Sequence, residues 1–195
     1  MTDYVLRAPR PGDFGWIVHR HGALYAQEQG WDERFEAVVA DVIAQFIQHF
    51  DPARERCWIA EHDSRIVGCI MLAKHTDEIA RLRLLLVEPE ARGSGLGSRL
   101  VDECVSFARQ AGYKKIELWT NSILLGARRL YERADFQLVE SKPHQLFGEG
   151  LVGETWALDL APSPEGRGVI EPNILLDNPT SSSSNKLQKC GSSLK

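Results

Sequence analysis

The stretch VEPEARGSGLGSRLV, residues 87–101, joins a strand-like run to a helix-like run and carries the chain's most informative pattern. It places Gly93, Gly95 and Gly97 at alternate positions where a helix should begin. Inside a helix each glycine costs roughly 1 kcal/mol against alanine, so three glycines argue against an idle loop. Glycine lets a ligand reach backbone N–H groups closely, and a helix N-terminus attracts anions. We therefore predict a phosphate-binding turn at this point.

Two other nucleotide-binding motifs fit the same glycines less well. A dinucleotide fingerprint, G-x-G-x-x-G, needs a third glycine where the chain has Ser98, although Glu117 could be the acid expected about 20 residues later. A P-loop needs Lys and then Ser or Thr after its last glycine, and Ser98-Arg99 excludes it. Binding of a nicotinamide dinucleotide, or a loop with only a packing role, stays open as an alternative.

The spacing of apolar residues predicts eleven elements around this turn. Helices are predicted over 14–29, 32–50, from Leu96 to about 111, and over 123–134; strands are predicted over 4–7, 56–62, 65–74, 79–89, 114–120, 137–141 and 150–160. The two residues Asp63-Ser64 separate two strands and predict a hairpin. This order predicts an α/β fold with a mixed sheet of about seven strands and about four helices.

Composition narrows the class of protein. The 195 residues carry a net charge of -4 with scattered Lys and Arg, so no basic face points to nucleic acid. No apolar run approaches the roughly 20 residues of a membrane span, and the N-terminus lacks a secretory pattern. Four cysteines lie far apart, at positions 57, 69, 104 and 190, without the spacing of a metal site. We predict a cytoplasmic protein that binds no metal, nucleic acid or membrane.

A change in composition predicts the domain boundary. Residues 1–161 have the mix of a folded domain, whereas 162–195 contain no aromatic residue and a run of four serines. Such a segment cannot bury enough apolar surface to offset its ordering entropy. We predict one domain over 1–161 and a disordered tail, or an expression remnant, over 162–195.

The segment Arg92-Gly93-Ser94-Gly95-Leu96-Gly97 resembles the R/Q-x-x-G-x-G/A signature of the GNAT superfamily of N-acetyltransferases. Residues 82–120 resemble the strand–loop–helix–strand core of that family, and GARRLYERADFQLVE (126–140) resembles its next helix and strand. The match is closest to the acetyltransferase halves of bacterial chains with a MarR-type winged helix upstream. Since Tyr4 already begins the acetyltransferase, we expect no such DNA-binding half here.

This resemblance implies acetyl-CoA as the cofactor and a sheet that splays between its fourth and fifth strands. The pantetheine arm would pair with the backbone of Leu85, Leu86 and Val87, which would also stabilise an oxyanion. The glycine turn would hold the pyrophosphate. The implied cofactor-binding residues are Leu85, Leu86, Val87, Arg92, Gly93, Ser94, Gly95, Leu96, Gly97, Ser98 and Asn121. Asn121 is also a candidate helix N-cap.

The resemblance implies a general acid but leaves the general base open. Tyr131 occupies the place of the tyrosine that protonates the coenzyme A thiolate in many relatives. The glutamate that many relatives carry before the signature is replaced by Arg81. Glu117 or Glu28 could supply the base instead, with His19 and His21 as further candidates. The general base is left open.

The first two helices and the loop between them face the acceptor in this family. Tyr25, Glu28, Trp31 and Trp119 are predicted to bind a cationic amine, although Trp31 and Phe35 are equally compatible with core packing. We predict acetyl transfer to a primary amine of a small molecule or peptide. The alternative is a catalytically idle module that binds acyl-CoA as a sensor. A homodimer formed through the last strands is predicted by family analogy alone.

Overall fold

The computed structural model describes residues 3–160. Its strands are β1 (Val5–Arg7), β2 (Arg56–His62), β3 (Arg65–Lys74), β4 (Ile79–Val87), β5 (Lys115–Asn121), β6 (Gln137–His144) and β7 (Leu151–Asp159). Its helices are α1 (Asp13–Gln29), α2 (Glu33–His49), α3 (Leu96–Gln110) and α4 (Leu125–Arg133). The predicted tail, 162–195, lies outside the described residues. Within 3–160 no helix has the length and apolar character needed to cross a membrane.

The seven strands form one mixed sheet in the order β1-β2-β3-β4-β5-β7-β6. Only β4 and β5 run parallel; the other neighbouring pairs are antiparallel. The turn between β2 and β3 has φ of 48° at Asp63 and 60° at Ser64, as a two-residue hairpin of the right twist requires. The predicted α/β class, hairpin and strand count are confirmed.

Apolar clusters cover the two faces of the sheet. On one face α3 buries a stripe that includes Leu96, Leu100 and Cys104 against the central strands. On the other face α1 and α2 bury residues such as Ile17 and Val39 against β2 and β3. Cys57, Cys69 and Cys104 are free thiols inside these clusters, and burial raises their pKa values. They are small core residues, as predicted; Cys190 lies outside the described range.

The sheet opens where β4 and β5 part. Their pairing runs from Ile79 opposite Lys115 to Leu82 opposite Leu118 and goes no further, although β4 continues to Val87. On the β3 side the register also shifts, and Leu84 adopts a φ of 50°. Residues 83–87 therefore present an unpaired strand edge toward the gap, which confirms the predicted splay.

Three element boundaries differ from the predictions by two residues or more. β4 ends at Val87 and not at Pro89, because Pro89–Ala91 forms a short 3-10 turn closed by the Arg92 N–H donating to the Pro89 carbonyl. α4 begins at Leu125, two residues later than predicted. β6 runs to His144, three residues beyond the predicted end, because it stays paired with β7.

Candidate active site

A groove of about 680 Å³ lies beside the unpaired end of β4, between α1, the glycine turn and α4. It is lined by Leu24, Tyr25, Glu28, Gln29, Leu85, Leu86, Val87, Arg92, Gly93, Gly95, Gly97, Ser98, Ile123, Leu124, Leu125, Gly126, Ala127, Arg129, Leu130 and Arg133. The groove thus joins the unpaired edge of β4 to the glycine turn. Eight of the predicted cofactor-binding residues lie here: Leu85, Leu86, Val87, Arg92, Gly93, Gly95, Gly97 and Ser98.

The three glycines of the turn serve two different purposes. Gly93 and Gly95 have φ of 76° and 90°, a conformation that side chains disfavour, and no atom lies within 4 Å of where a Cβ would be. Gly97 lies inside α3, and a Cβ there would be 2.9 Å from Leu130 Cδ1. The first two glycines shape the turn, whereas the third lets α3 and α4 pack closely.

The N-terminus of α3 opens onto the groove. Gly95 occupies the N-cap position and has no side chain to cap the helix. The Leu96 N–H donates to Ser94 Oγ at 3.4 Å, and the next N–H groups of the first turn are available to a phosphate. Two predicted ligands turn away from the groove. The Ser94 hydroxyl donates to the Ala91 carbonyl at 2.7 Å, and the Leu96 side chain is 1% exposed in the core.

Arg92 is already paired across the groove. Its Nη1 lies 2.8 Å from Oε1 of Glu28 on α1, and its Nε donates to the Val87 carbonyl at 3.1 Å. The structure therefore places Glu28 beside the predicted phosphate ligand and away from the aromatic cavity described below. The predicted grouping of Glu28 with Trp31 and Trp119 in one pocket is corrected accordingly.

Sequence reasoning missed two cations of this groove. Arg129 and Arg133 lie four residues apart on α4, and both line the groove together with Arg92. Their spacing of four residues puts them on one face of α4. This spacing is the sequence pattern from which they could have been predicted. Three guanidinium groups, free helix N–H groups and an open strand edge fit a ligand that carries several phosphates and a peptide-like arm.

A second, smaller cavity of about 110 Å³ adjoins the groove on the α1–α2 side. It is lined by His21, Tyr25, Trp31, Phe35, Val38, Val39, Val42, Leu82, Arg83, Leu84, Leu85, Trp119, Thr120, Asn121, Leu124, Ala127 and Tyr131. Four of these residues also line the groove: Tyr25, Leu85, Leu124 and Ala127. The groove and the smaller cavity therefore meet at Leu85, next to the register shift of β4.

Tyr131 lies at the wall of the smaller cavity and is 5% exposed. Burial raises the pKa of its phenol well above the usual range, so the hydroxyl carries its proton at neutral pH. A protonated hydroxyl can donate a hydrogen bond to a departing thiolate. The acid role of Tyr131 stays a prediction, and its placement is compatible with that role.

His21 is the most buried of the candidate bases. It is 2% exposed, and its ring contacts Tyr25 with 5.9 Å between ring centroids. Nδ1 lies 2.9 Å from the Ile17 carbonyl and so carries the proton, while Nε2 has no partner among the described residues. Burial lowers its pKa to about 4, so the imidazole is neutral at pH 7.

Glu117 and Asn121 lie elsewhere than their predicted roles require. Glu117 stands opposite Arg81 in the β4–β5 register and lines neither space. The Asn121 Oδ1 is 2.8 Å from His144 Nε2, and its side chain lines the smaller cavity instead of the groove. It is not the N-cap of α4, because that helix starts at Leu125 with Leu124 at the cap.

The two tryptophans that were predicted to bind substrate pack against other side chains and also line the smaller cavity. Trp31 is 4% exposed and contacts Tyr25 and Phe147, with ring centroids 4.9 and 4.5 Å away. Trp119 is 42% exposed and lies against Gly153, where a Cβ would come within 2.6 Å of its ring. Trp31 thus belongs to a core cluster and also lines the cavity with Trp119, and substrate binding by the two rings stays a prediction. No cluster of three or more metal-ligating side chains occurs in 3–160.

Comparison with known proteins matches this architecture to one family. The sequence model of the Acetyltransferase (GNAT) family matches residues 22–136. An uncharacterised N-acetyltransferase of Schizosaccharomyces pombe is 32% identical over 135 residues, which cover 68% of this chain and 79% of that protein. Human N-acetyltransferase 8 is 28% identical over 58% of this chain, and the matched region spans only 52% of the human protein.

Solved structures agree on the fold. An acetyltransferase of Salmonella typhimurium, determined with its cofactor acetyl-CoA, has a TM-score of 0.65 at 17% identity, covering 81% of this chain and 94% of that one. A spermidine N-acetyltransferase of Vibrio cholerae, in complex with CoA and spermine, has a TM-score of 0.60 at 17% identity, covering 82% and 96%. The fold and the match of the family model identify the class as that of the N-acetyltransferases. The chain belongs to the GNAT acetyltransferase family. The particular similarity to MarR-associated domains stays a prediction.

Proposed function

We propose that this protein transfers the acetyl group of acetyl-CoA to a primary amine of a small molecule or peptide by direct attack of the amine. The observation that carries the proposal is the meeting of the two spaces at Leu85. The groove has the lining for a phosphorylated, extended cofactor, and the smaller cavity opens beside it. An acceptor in that cavity would lie next to the strand edge that holds the cofactor's arm.

The cofactor supplies an activated thioester, and the chain supplies its orientation. The unpaired edge of β4, residues 83–87, binds the pantetheine arm as an added strand would be bound. The first turn of α3 together with Arg92, Arg129 and Arg133 binds the phosphates. Backbone N–H groups of β4 would polarise the thioester carbonyl while the amine nitrogen bonds to its carbon and the C–S bond breaks. The Tyr131 hydroxyl would protonate the leaving sulfur, and the proton lost by the nitrogen would return to Tyr131 through solvent.

No Asp or Glu of residues 3–160 lines the smaller cavity. Within the proposal the acceptor therefore reacts from its neutral amine form, without a carboxylate base in contact. The activity should then rise with pH toward the acceptor's own pKa. A rate profile set by the acceptor, and not by an enzyme group, would support this part of the proposal.

The absence of Asp and Glu of residues 3–160 from the lining of the smaller cavity favours a second candidate, a module that binds acyl-CoA and transfers nothing. Arg81 stands where many relatives carry a glutamate, and it hydrogen-bonds His75 Nε2 at 3.0 Å instead of a substrate group. Such a module would bind the cofactor normally, because the groove does not depend on an acceptor.

One experiment separates the two candidates. Thiol release from acetyl-CoA is followed with amines, polyamines, amino acids and peptides, while calorimetry measures cofactor binding. Acetyl transfer to an amine supports the enzyme, whereas binding without release across the panel supports the module. Arg92→Glu is the control, because it places a carboxylate beside Glu28 and against phosphate, and it should abolish cofactor binding in either case.

Location and assembly are further proposals. A cytoplasmic location of the protein agrees with the free thiols of the described residues. A homodimer through the last strands agrees with the position of β6 at the sheet edge and with the exposure of Leu138 and Val139, 47% and 64%. Sedimentation of the purified protein, with Val139→Lys as the disrupting variant, tests the dimer.

A further inference from the structure

Arg83 is a partly buried cation without an ion-pair partner among residues 3–160. It lies on β4 and lines the smaller cavity. Among residues 3–160 no carboxylate lies within ion-pair distance of its guanidinium, whereas Arg7, Arg20 and Arg92 all have such partners. Burial and the neighbouring charge of Arg81 lower its pKa, which means that its surroundings disfavour the charge as they stand.

The remainder of that cavity wall is apolar or neutral. Aromatic rings of Trp31, Phe35 and Trp119 and several valines and leucines form most of it, and Arg83 is its only charged residue within the described range. A guanidinium next to apolar walls is expensive to desolvate unless an anion joins it. Within residues 3–160 the cavity therefore has a cation without a counter-ion, and an anionic ligand can supply that counter-ion.

The position of Arg83 on β4 sets the distance to the chemistry. Leu85, where the groove and the cavity meet, is two residues further along the strand. An extended chain would span at most roughly 7 Å over two residues, and the φ of 50° at Leu84 shortens that span. The anionic group and the reacting amine must then lie only a few bonds apart in one small molecule. The cavity volume of about 110 Å³ also favours a small acceptor, since pockets for larger ligands are roughly 300–1,000 Å³.

We propose that the acceptor is a small amino acid-like amine whose carboxylate is bound by Arg83 and whose apolar side chain packs against the aromatic wall. This rests on the proposed acetyl transfer and specifies its substrate class. Polyamines are poor candidates, because their charges would face Arg83 without a compensating carboxylate in the cavity. A planar guanidinium suits a carboxylate because it can form two parallel hydrogen bonds.

The test uses the acetylated products as binding probes, since they contain no amine that could confuse the charge comparison. Calorimetry on the full chain loaded with CoA compares N-acetyl-leucine and N-acetyl-methionine with their carboxamides. We expect each acid to bind at least tenfold more tightly than its amide. Arg83→Gln should remove that preference, and Arg83→Lys should restore part of it.

Arg81→Gln is the matched control. Arg81 is the next arginine on the same strand, but it lines neither space and bonds His75, so its loss should leave the acid preference intact. Equal affinity for acid and amide, no binding of either, or an unchanged preference in Arg83→Gln would overturn the inference.

Activity assays keep this inference separate from the proposed function. Equal acetylation of leucine and leucinamide, compared at equal concentrations of neutral amine, would leave the acetyltransferase assignment standing and refute the role of Arg83. An acid preference in binding without thiol release from any amine would support the carboxylate site and refute acetyl transfer.

Discussion

Arg92 Nη1 and Glu28 Oε1 lie 2.8 Å apart and join the glycine turn to α1 across the groove. Neither residue is near the other in sequence, and the two were predicted to have separate roles, one toward phosphate and one toward an amine or a proton. Their pairing places both side chains at the groove and not at the smaller cavity. A carboxylate held in this way competes with the phosphate for Arg92.

Replacing Glu28 by Gln should therefore strengthen cofactor binding and not weaken catalysis. A partly exposed ion pair is worth up to about 1 kcal/mol, so the Kd for acetyl-CoA should fall by up to about fivefold. Calorimetry measures the affinity, and thiol release measures kcat. A fall in kcat of a hundredfold with binding intact would instead identify Glu28 as the base.

Replacing Tyr131 by Phe tests the acid directly. The ring keeps its packing, but the hydroxyl that can donate to the leaving thiolate is lost, so kcat should fall about 100-fold or more. Acetyl-CoA affinity should change less than about threefold, because the phosphate contacts remain. Tyr113→Phe is the control: that side chain is also buried, but its hydroxyl donates to the Arg54 carbonyl and lies outside both spaces. Unchanged turnover in Tyr131→Phe would end the acid assignment.

The two kinds of glycine in the turn should respond differently to alanine. Gly95→Ala forces a side chain into a φ of 90° and should reduce the free energy of unfolding by about 1–2 kcal/mol. Gly97→Ala gains about 1 kcal/mol of helix propensity, which displacement of Leu130 offsets, so the net change should be small. Urea unfolding of both variants measures the difference. A larger loss for Gly97→Ala would contradict this division of roles.

His21 should make stability depend on pH. Its pKa is lowered to about 4 in the folded state from 6.5, so the unfolded chain binds the proton more readily. The stabilisation is fully present above pH 6.5 and is lost as the pH falls toward 4; 2.5 pH units correspond to about 3 kcal/mol. Urea unfolding between pH 7.5 and 4.5 should show this slope, and His21→Phe should flatten it.

His49→Phe provides the comparison for that series. His49 makes the same kind of contact, with Nδ1 3.1 Å from the carbonyl four residues earlier, but it is exposed on α2. Its replacement should leave the slope unchanged. If both variants flatten the curve equally, burial of His21 is not the cause.

Much of the fold was predictable because local patterns act over short distances. The alternate glycines, the stripe Leu96–Leu100–Cys104 and the two-residue turn at Asp63 each follow from steric and periodic rules that need no tertiary context. The errors fall at element ends, such as β4 beyond Val87, where a 3-10 turn took over. The residues that line the groove were largely anticipated for the same reason, since the glycine turn is one continuous segment.

The amino-acid sequence thus determined the family, the glycine turn and the helix stripes, all of which reside in contiguous residues. Only the tertiary structure decided which side chains lie together: Glu28 with Arg92, and Asn121 with His144. It also made Arg83 the only charged residue of 3–160 that lines the smaller cavity. Such pairings join residues that are far apart in the chain, so they depend on how the helices and strands pack together. A single sequence contains the groups, but the fold sets the distances between them.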